Sequence, residues 1–331
     1  VRNINVNSTI TNTGTGTINL IAAAAVAVNA NLSSGGIIAI NAPAGLTQAV
    51  GTTITTATGL TIDVSAASTS SGDIAGLGGL TKNGIGILTL SGINTYTGAT
   101  TINAGGYTLG GTGTATGTAF SVNLGGTLTL DNAAANNTNR ISDTLALTLN
   151  GGELVFNGTN VALTNASETT GDLALASGAS TVTLNSGTGG GTTLTAASIS
   201  RTAGATVLFR GTNLGAGAAA AGNTNLNFTT ATGLGLVGAN TLATNKPIVP
   251  YAIGDTSATG AGIGFVTNNI NLADNLANTF GIRPLAVATE YATTQAAGVN
   301  LRVAASVSPN ATVALNSLFL AGGSTYTIGA T

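Results

Sequence analysis

From Ser8 to Gly211 the sequence repeats one device. A short run places Leu, Ile or Val at every second position with Thr, Ser or Asn between them, and a Gly-Gly, Asn-Gly, Ser-Gly or Thr-Gly pair then closes it, as in "GLTIDVSA", "GILTLSG", "GTLTLDN", "TVTLNSG" and "GATVLFRG". A period of two is that of a half-buried strand, because successive side chains point to opposite faces. The closing pairs are turn signals. No long stretch keeps a helical period, so the chain reads as all-β.

The residues between the apolar positions decide which β architecture is meant. They are Thr, Ser, Asn and Ala, and only 5% of the chain is charged, against about 25% in an ordinary soluble domain. A sandwich leaves long strand edges that Lys and Glu normally protect from sticking. A solenoid pairs every strand above and below except at its ends. Thr and Asn stack well on their own kind from one rung to the next, and Gly turns the chain tightly at each corner. With 43% hydrophobic residues and a net charge of -2, the chain lacks the signature of disorder. The expected fold is a right-handed parallel β-helix. The period-two phase puts Leu88, Leu90, Ile102, Leu128, Leu130, Leu147, Leu149, Leu154, Leu173, Leu175, Val182, Leu184 and Leu208 inside, in columns built from successive coils.

Cys, His, Met and Trp are absent. That excludes a thiolate nucleophile, a Ser-His-Asp triad, an imidazole base and a Cys or His zinc site. The lack of Met sets the expectation that the chain is processed or is a piece of something longer. The eight Lys and Arg residues are dispersed, which argues against nucleic acid as a partner. No apolar run is long enough to span a bilayer. Asp131, Arg140, Asp143 and Glu153 form the nearest approach to a charged group; they read as solvated ion pairs at a loop, of small energetic value. Arg201 and Arg210 flank one strand and read as solvated or as an interchain contact. "SGTGGGTT" is Gly-rich, but no Lys follows it as a phosphate loop requires. No catalytic, cofactor-binding or metal-ligating residue is assigned, and the chain is not read as an enzyme.

One stretch is more specific. "LTKNGIGILTLSGINTYTGATTINAGG" runs from Leu80 to Gly106 and reads as about one coil. Ile87–Leu90 forms a strand with Leu88 and Leu90 inward, residues 91–98 a corner in which Asn94 bonds backbone, and Thr100–Ile102 the next strand with Ile102 inward. The spacing of Lys82, Gly84, Gly86, Leu88, Leu90, Gly92, Asn94, Thr95, Tyr96, Gly98, Thr100 and Ile102 resembles the autotransporter-associated β-strand repeat of bacterial surface proteins. Gly106-Tyr107 departs from that pattern by one added residue, from which a bulge at the corner is expected. The resemblance implies a β-helix outside the cell, part of a stalk or fibre, with no catalytic residues to carry over.

Three regions are expected: regular β-helix over 1–215, with the repeat at 80–109; coils with long Pro- and aromatic-containing loops over 216–298; and regular coils again over 299–331. Phe228, Tyr251, Phe265, Phe280 and Tyr291 in the middle region are the candidate partner surface, to be weighed against a small satellite core under long loops. Both ends read as rungs without caps, so the expected partners are copies of the same chain or adjoining modules, head to tail, with a surface glycan or a neighbouring cell as the alternative. The functional expectation is a structural stalk or filament module at the bacterial cell surface. An adhesin acting through the 216–298 loops is the alternative, and a polysaccharide-degrading β-helix enzyme the more distant one.

Overall fold

A computed structural model describes residues 2–239, 242–270, 280–307 and 313–327. Apart from a single 3-10 turn at Ala243–Asn245, the described elements are strands. The chain winds as a parallel β-helix with three faces. The first face begins with Ile4–Val6, Val26–Val28 and Leu46–Gln48 and runs through Ile87–Leu90 and Gly126–Asp131 to Thr206–Gly211 and Val249–Asp255. Each of its strands lies parallel to the next. The third face is a nine-stranded parallel sheet from Ile18–Ile21 to Ile199–Arg201. The second face is interrupted. Ile10–Asn12, Leu32–Ser34, Thr53–Thr56 and Asp73–Ala75 form one sheet, and strands return only at Ala166–Thr170, Thr192–Ala196 and Thr224–Phe228.

The alternation in the sequence is the register of the stack. On the first face Val26, Leu46, Ser68, Leu88, Tyr107, Leu128, Leu154, Val182 and Phe209 lie one above another, all buried. The other faces contribute similar columns to one continuous core. Of the expected core positions only Leu208 is misplaced: it is half-exposed, while Val207 and Phe209 on either side are buried. Val207-Leu208-Phe209 offers apolar side chains to both phases of a period-two pattern, and the larger aromatic ring continues the column above Val182. Gly106-Tyr107 produces no bulge. Gly105–Leu109 pairs in unbroken register with both neighbours, Tyr107 lying opposite Leu88 and Leu128.

Over 216–298 the expectation of further coils is corrected. Thr224–Phe228 and Val249–Asp255 are parallel rungs. Gly264–Ile270 then runs antiparallel to Val249–Asp255, and Phe280–Pro284 antiparallel to Gly264–Ile270. Phe280–Pro284 also pairs antiparallel with Thr224–Phe228. The end strands of the first and second faces are therefore joined across the end of the stack into a single sheet. Reversing direction lets the first and second faces end on paired strands instead of an open row of N–H and C=O groups, while the third face ends at Ile199–Arg201. A two-fold ion pair, Arg283 Nη1 to Glu290 Oε2 at 2.5 Å and Nη2 to Oε1 at 2.6 Å, with Ala286 N–H donating to Oε2 at 2.8 Å, fixes the exit from this layer. Beyond it Asn300–Val303 and Ser317–Leu320 pair in parallel over a separate small core of Val299, Leu301 and Val303.

Candidate functional site

The segment from Leu80 to Gly106 lies where the second face stops being a sheet. Asp73–Ala75 is the last strand of the N-terminal part of that face, and in the next coil residues 91–98 take its place with only an isolated bridge at Ile93. Side chains replace the missing ladder. Asn94 is buried and ties three coils together. Its Oδ1 accepts from Ile74 N–H of the coil below at 3.0 Å, and its Nδ2 donates to Gly92 O at 3.1 Å and to Thr114 O of the coil above at 2.9 Å. An asparagine can serve as acceptor and double donor at once, and this one uses all three capacities on backbone.

Tyr96 turns inward from the same corner. Its hydroxyl lies 2.6 Å from Thr100 Oγ1 and 3.0 Å from the hydroxyl of Tyr107, and Thr100 Oγ1 lies 3.1 Å from Thr118 Oγ1, which donates to Gly98 O at 2.7 Å. Tyr107 packs edge-on against Phe120, with ring centres 5.8 Å apart. A chain of hydroxyls thus runs through the interior of the solenoid and ends on a backbone carbonyl, which satisfies the rule that buried polar groups find partners. Burial pushes the Tyr96 phenol up to about 12 and that of Tyr107 well above its usual range, so both remain protonated donors.

Lys82 occupies an inward position on the third face, between Ile62 and Ile102 of the adjoining coils. Its side chain is inaccessible to solvent. The Nζ reaches the corner, donating to Asn83 O at 2.7 Å, Gly84 O at 2.8 Å and Ala104 O at 3.3 Å. An ammonium has three donors and no acceptor, which suits a corner whose carbonyls turn away from the sheet ladders. Burial lowers the Lys82 pKa to about 8, against the opposing pull of Asp63.

The glycines of the segment are places of close approach. A Cβ at Gly84, Gly86, Gly92 or Gly98 would overlap backbone atoms of the coil below: Val64 O, Ala66 O, Gly72 O and Gly79 N respectively. Gly84 also has φ +73, a conformation that side chains disfavour. Leu88, Leu90 and Ile102 are buried as the alternation requires, and Thr95 is exposed on the corner. Residues 80–106 match the family model of the passenger-associated-transport-repeat. That repeat belongs to autotransporter passengers, which are secreted or surface-exposed, and the match accords with the resemblance drawn from the sequence. No curated protein and no solved structure matches the chain. Within the passenger repeat, then, the polar residues Lys82, Asn94, Tyr96 and Thr100 all point inward and hold coil to coil.

Of the aromatic side chains described in the 216–298 region, three are buried and Phe265 is half-buried. Phe228 is buried in the main core, and so is Tyr251, whose hydroxyl donates to Gly233 O at 2.8 Å beneath the guanidinium of Arg201. Phe265 and Tyr291 pack with Ile248, Leu285 and Phe319, and the Tyr291 hydroxyl accepts from Phe265 N–H at 2.9 Å. The side chain of Phe280 lies outside the described residues. The satellite core is thus the arrangement observed, because the closing layer needs a filling of its own.

Two buried charged residues were not singled out as such by the sequence reading. Arg140, read there as a solvated ion-pair residue, is inaccessible to solvent. Its Nε donates to Asn132 Oδ1 at 2.6 Å, its Nη1 to Gly113 O at 2.9 Å, and its Nη2 to Gly111 O at 3.1 Å and Ala135 O at 2.9 Å. Glu168, inward on the second face, accepts the N–H groups of Arg140 and Ile141 at 3.0–3.1 Å. Burial raises the Glu168 pKa to about 7 despite those bonds and the charge of Arg140. Both residues serve the gap in the second face. The nearest sequence signal was the loss of alternation over residues 132–146, which marks a coil whose backbone needs other partners. Glu153, grouped with Arg140 in the sequence reading, instead pairs with Arg210 at 2.9 Å on the outer side of the first face. Among the described residues no three Asp or Glu side chains gather as a metal site would require.

Proposed function

We propose that the chain is a structural module of an extracellular bacterial surface protein, a length of stalk that holds other parts of a passenger away from the cell. The observation that carries this reading is the continuous parallel stack of the first face from Ile4–Val6 to Val249–Asp255, with the passenger-type repeat built into it. At about 4.8 Å per rung the stack advances on the order of 50 Å. Backbone hydrogen bonds run along its axis from coil to coil, and glycines at the corners keep the coils in contact, so it resists bending. The role is mechanical, and the residues of the repeat serve the stack rather than a reaction. Adjoining modules or further copies of the chain are the expected end-to-end partners, and the antiparallel layer limits direct rung-to-rung stacking at its own end. Adhesion through the 216–298 loops is the second reading; of the aromatic side chains described there, Phe228, Tyr251 and Tyr291 are buried and Phe265 is half-buried.

Electron microscopy of the purified chain tests the reading. We expect stiff rods whose length matches the stack, alone or joined end to end, and protease access to the chain on intact cells that display it. Compact particles without a long axis, or protection from protease on intact cells, would refute it.

A further inference from the structure

The third face carries a regular outward grid. Beside each inward pair stands a rank of hydroxyls, Thr61, Thr81, Thr101, Ser121 and Thr148, one above the next. Two residues along each strand stands a rank of amides. It comprises Asn41, Asp63 and Asn83 in register, followed by Asn103, Asn123 and Asn150. On the other flank are Gly59, Gly79, Ala99, Ala119 and Ala146, which give the face no relief. Among these positions Asp63 is the single ionisable one.

The grid is rigid before anything binds. Asn103 Nδ2 donates to Asn83 Oδ1 at 2.8 Å, Asn123 Nδ2 to Asn103 Oδ1 at 2.7 Å, and Asn150 Nδ2 to Asn123 Oδ1 at 2.9 Å. Asn103 and Asn123 are thereby fixed with a second N–H left over, while Asn150 gives its second to Ser121 Oγ at 2.9 Å. Threonine is stiff about its first side-chain bond, and among the described residues none hydrogen-bonds the hydroxyls of Thr61, Thr81, Thr101 and Thr148. Groups already held in place lose little freedom on binding. The buried columns beneath, such as Ile62, Ile102, Val122 and Leu149, keep the face from yielding.

A partner for such a face must itself repeat, because the rungs, Asp63 and Ser121 apart, present the same groups one after another. The cavities described beside Tyr251 and beside Arg302 lie away from the grid. The near absence of charge argues against a charged polymer. Sugar rings would find no aromatic platform among the grid positions. What remains is ordered water. Successive hydroxyls are about 4.8 Å apart along the axis, and hydroxyl and amide about 6.6 Å apart across it, spacings close to those of repeating oxygens on faces of hexagonal ice. Hydroxyls and spare amide N–H groups anchor waters, and threonine methyls hold the waters between them in place.

We propose that the third face between Asn41 and Asn150 is an ice-binding surface. The test is partition of the whole chain into slowly growing polycrystalline ice, with serum albumin as carrier and with inhibition of ice recrystallisation as a second readout. We expect the chain to enrich in the ice fraction over albumin. Thr101→Lys, which sets a long charged side chain at the centre of the grid, should reduce it to the level of albumin. Thr89→Lys, on the outer side of the first face, should partition like the parent. Far-UV circular dichroism and the thermal midpoint check folding, and Ser121→Lys replaces Thr101→Lys if the latter misfolds. Exclusion of the parent chain from ice, or equal partition of folded Thr101→Lys and Thr89→Lys, overturns the proposal. Retention on insoluble cellulose without entry into ice also overturns it and assigns the grid to a polysaccharide.

Discussion

The coils before residue 65 and those from residue 80 to 170 share three faces but fill the interior differently. In the earlier coils the inward columns are largely aliphatic: Val26 and Leu46 on the first face, Leu32 and Ile54 on the second, Ile40 and Ile62 on the third. All three faces there are strands, so the backbone satisfies itself. In the later coils the second face has no strand between Asp73–Ala75 and Ala166–Thr170. Over that gap the interior takes in Asn94, Tyr96, Thr100, Arg140 and Glu168, most of them bonded to backbone. A strand ladder and a set of buried polar side chains are thus two ways of meeting the same requirement, that no backbone group be buried without a partner. The second way concentrates the stability of a coil in a few residues, and this makes the comparison testable.

The largest effect is expected at Arg140. Arg140→Ala strands the carbonyls of Gly111, Gly113 and Ala135 and the side chain of Asn132, and leaves Glu168 without a nearby cation. Removing one member of such a buried charged set costs about 3–5 kcal/mol. In the earlier coils Ile62→Val, which removes one methylene from a packed column, should cost about 0.5–1.5 kcal/mol. Denaturant midpoints of the two variants measure the contrast. Equal shifts would mean that the gap is not held by its polar side chains.

Tyr96→Phe comes next. It removes the hydroxyl that links Thr100 and Tyr107 and keeps the ring in place. A hydrogen bond lost inside a core, with its partners left short, costs about 1–3 kcal/mol. Tyr107→Phe should cost less, since its hydroxyl bonds only that of Tyr96. A reversed order would mean that Tyr107 carries the chain of hydroxyls.

These residues also mark how far the sequence could be read. The period-two alternation shows the strands, the inward columns and the parallel stack, because burial of alternate side chains is a local requirement. The repeat pattern showed that Lys82, Asn94 and Tyr96 matter, and the structure adds that they face inward. Arg140 looked like a surface charge and Glu168 carried no mark of its own, because what buries them is the missing strand of a neighbouring coil, and no local pattern records a neighbour's gap. The antiparallel layer was hidden for a related reason. A strand has the same alternation whether its partner runs parallel or antiparallel, and Leu208 shows the same ambiguity between the two sides of one strand.

Solution pH separates the two buried charges in the gap region and its flank. Glu168 has a folded pKa of about 7, above its ordinary value near 4.5, so the folded state holds its proton more tightly. Its contribution is full below the ordinary value and is lost as pH rises towards 7. Lys82 has a folded pKa of about 8, below its ordinary 10.5, so the unfolded state binds the proton more tightly. Stability is therefore regained as pH rises from about 8 towards 10.5. Above the ordinary tyrosine range near 10, Tyr96 and Tyr107 resist ionisation while the unfolded chain does not, and stability falls again. Thermal midpoints should pass through a shallow minimum between pH 7 and 8. Glu168→Gln should remove the acid-side slope and Lys82→Met the alkaline one. A profile unchanged by either substitution would show that neither group titrates differently on folding.

The smallest effect is expected on the outer side, where both kinds of coil carry neutral side chains. Asn103 stands in the middle of the amide rank, donating to Asn83 and accepting from Asn123. Its amide is in contact with solvent, so water replaces either bond when the side chain is cut back, and the coil beneath keeps its ladder and its buried Ile102. Asn103→Ala should therefore change the denaturant midpoint by no more than about 0.5 kcal/mol, the usual range for a surface substitution. Asn94→Ala, the same change nine residues earlier, removes three bonds to buried backbone that water cannot reach and should cost several times more. The pair isolates position from chemistry, since an asparagine is removed each time from a rank that links one coil to the next. Similar losses at both sites would mean that the outer ladder stiffens the stack as much as the inner one does, and the contrast between polar residues that hold the coils from within and those that only clothe them would fail.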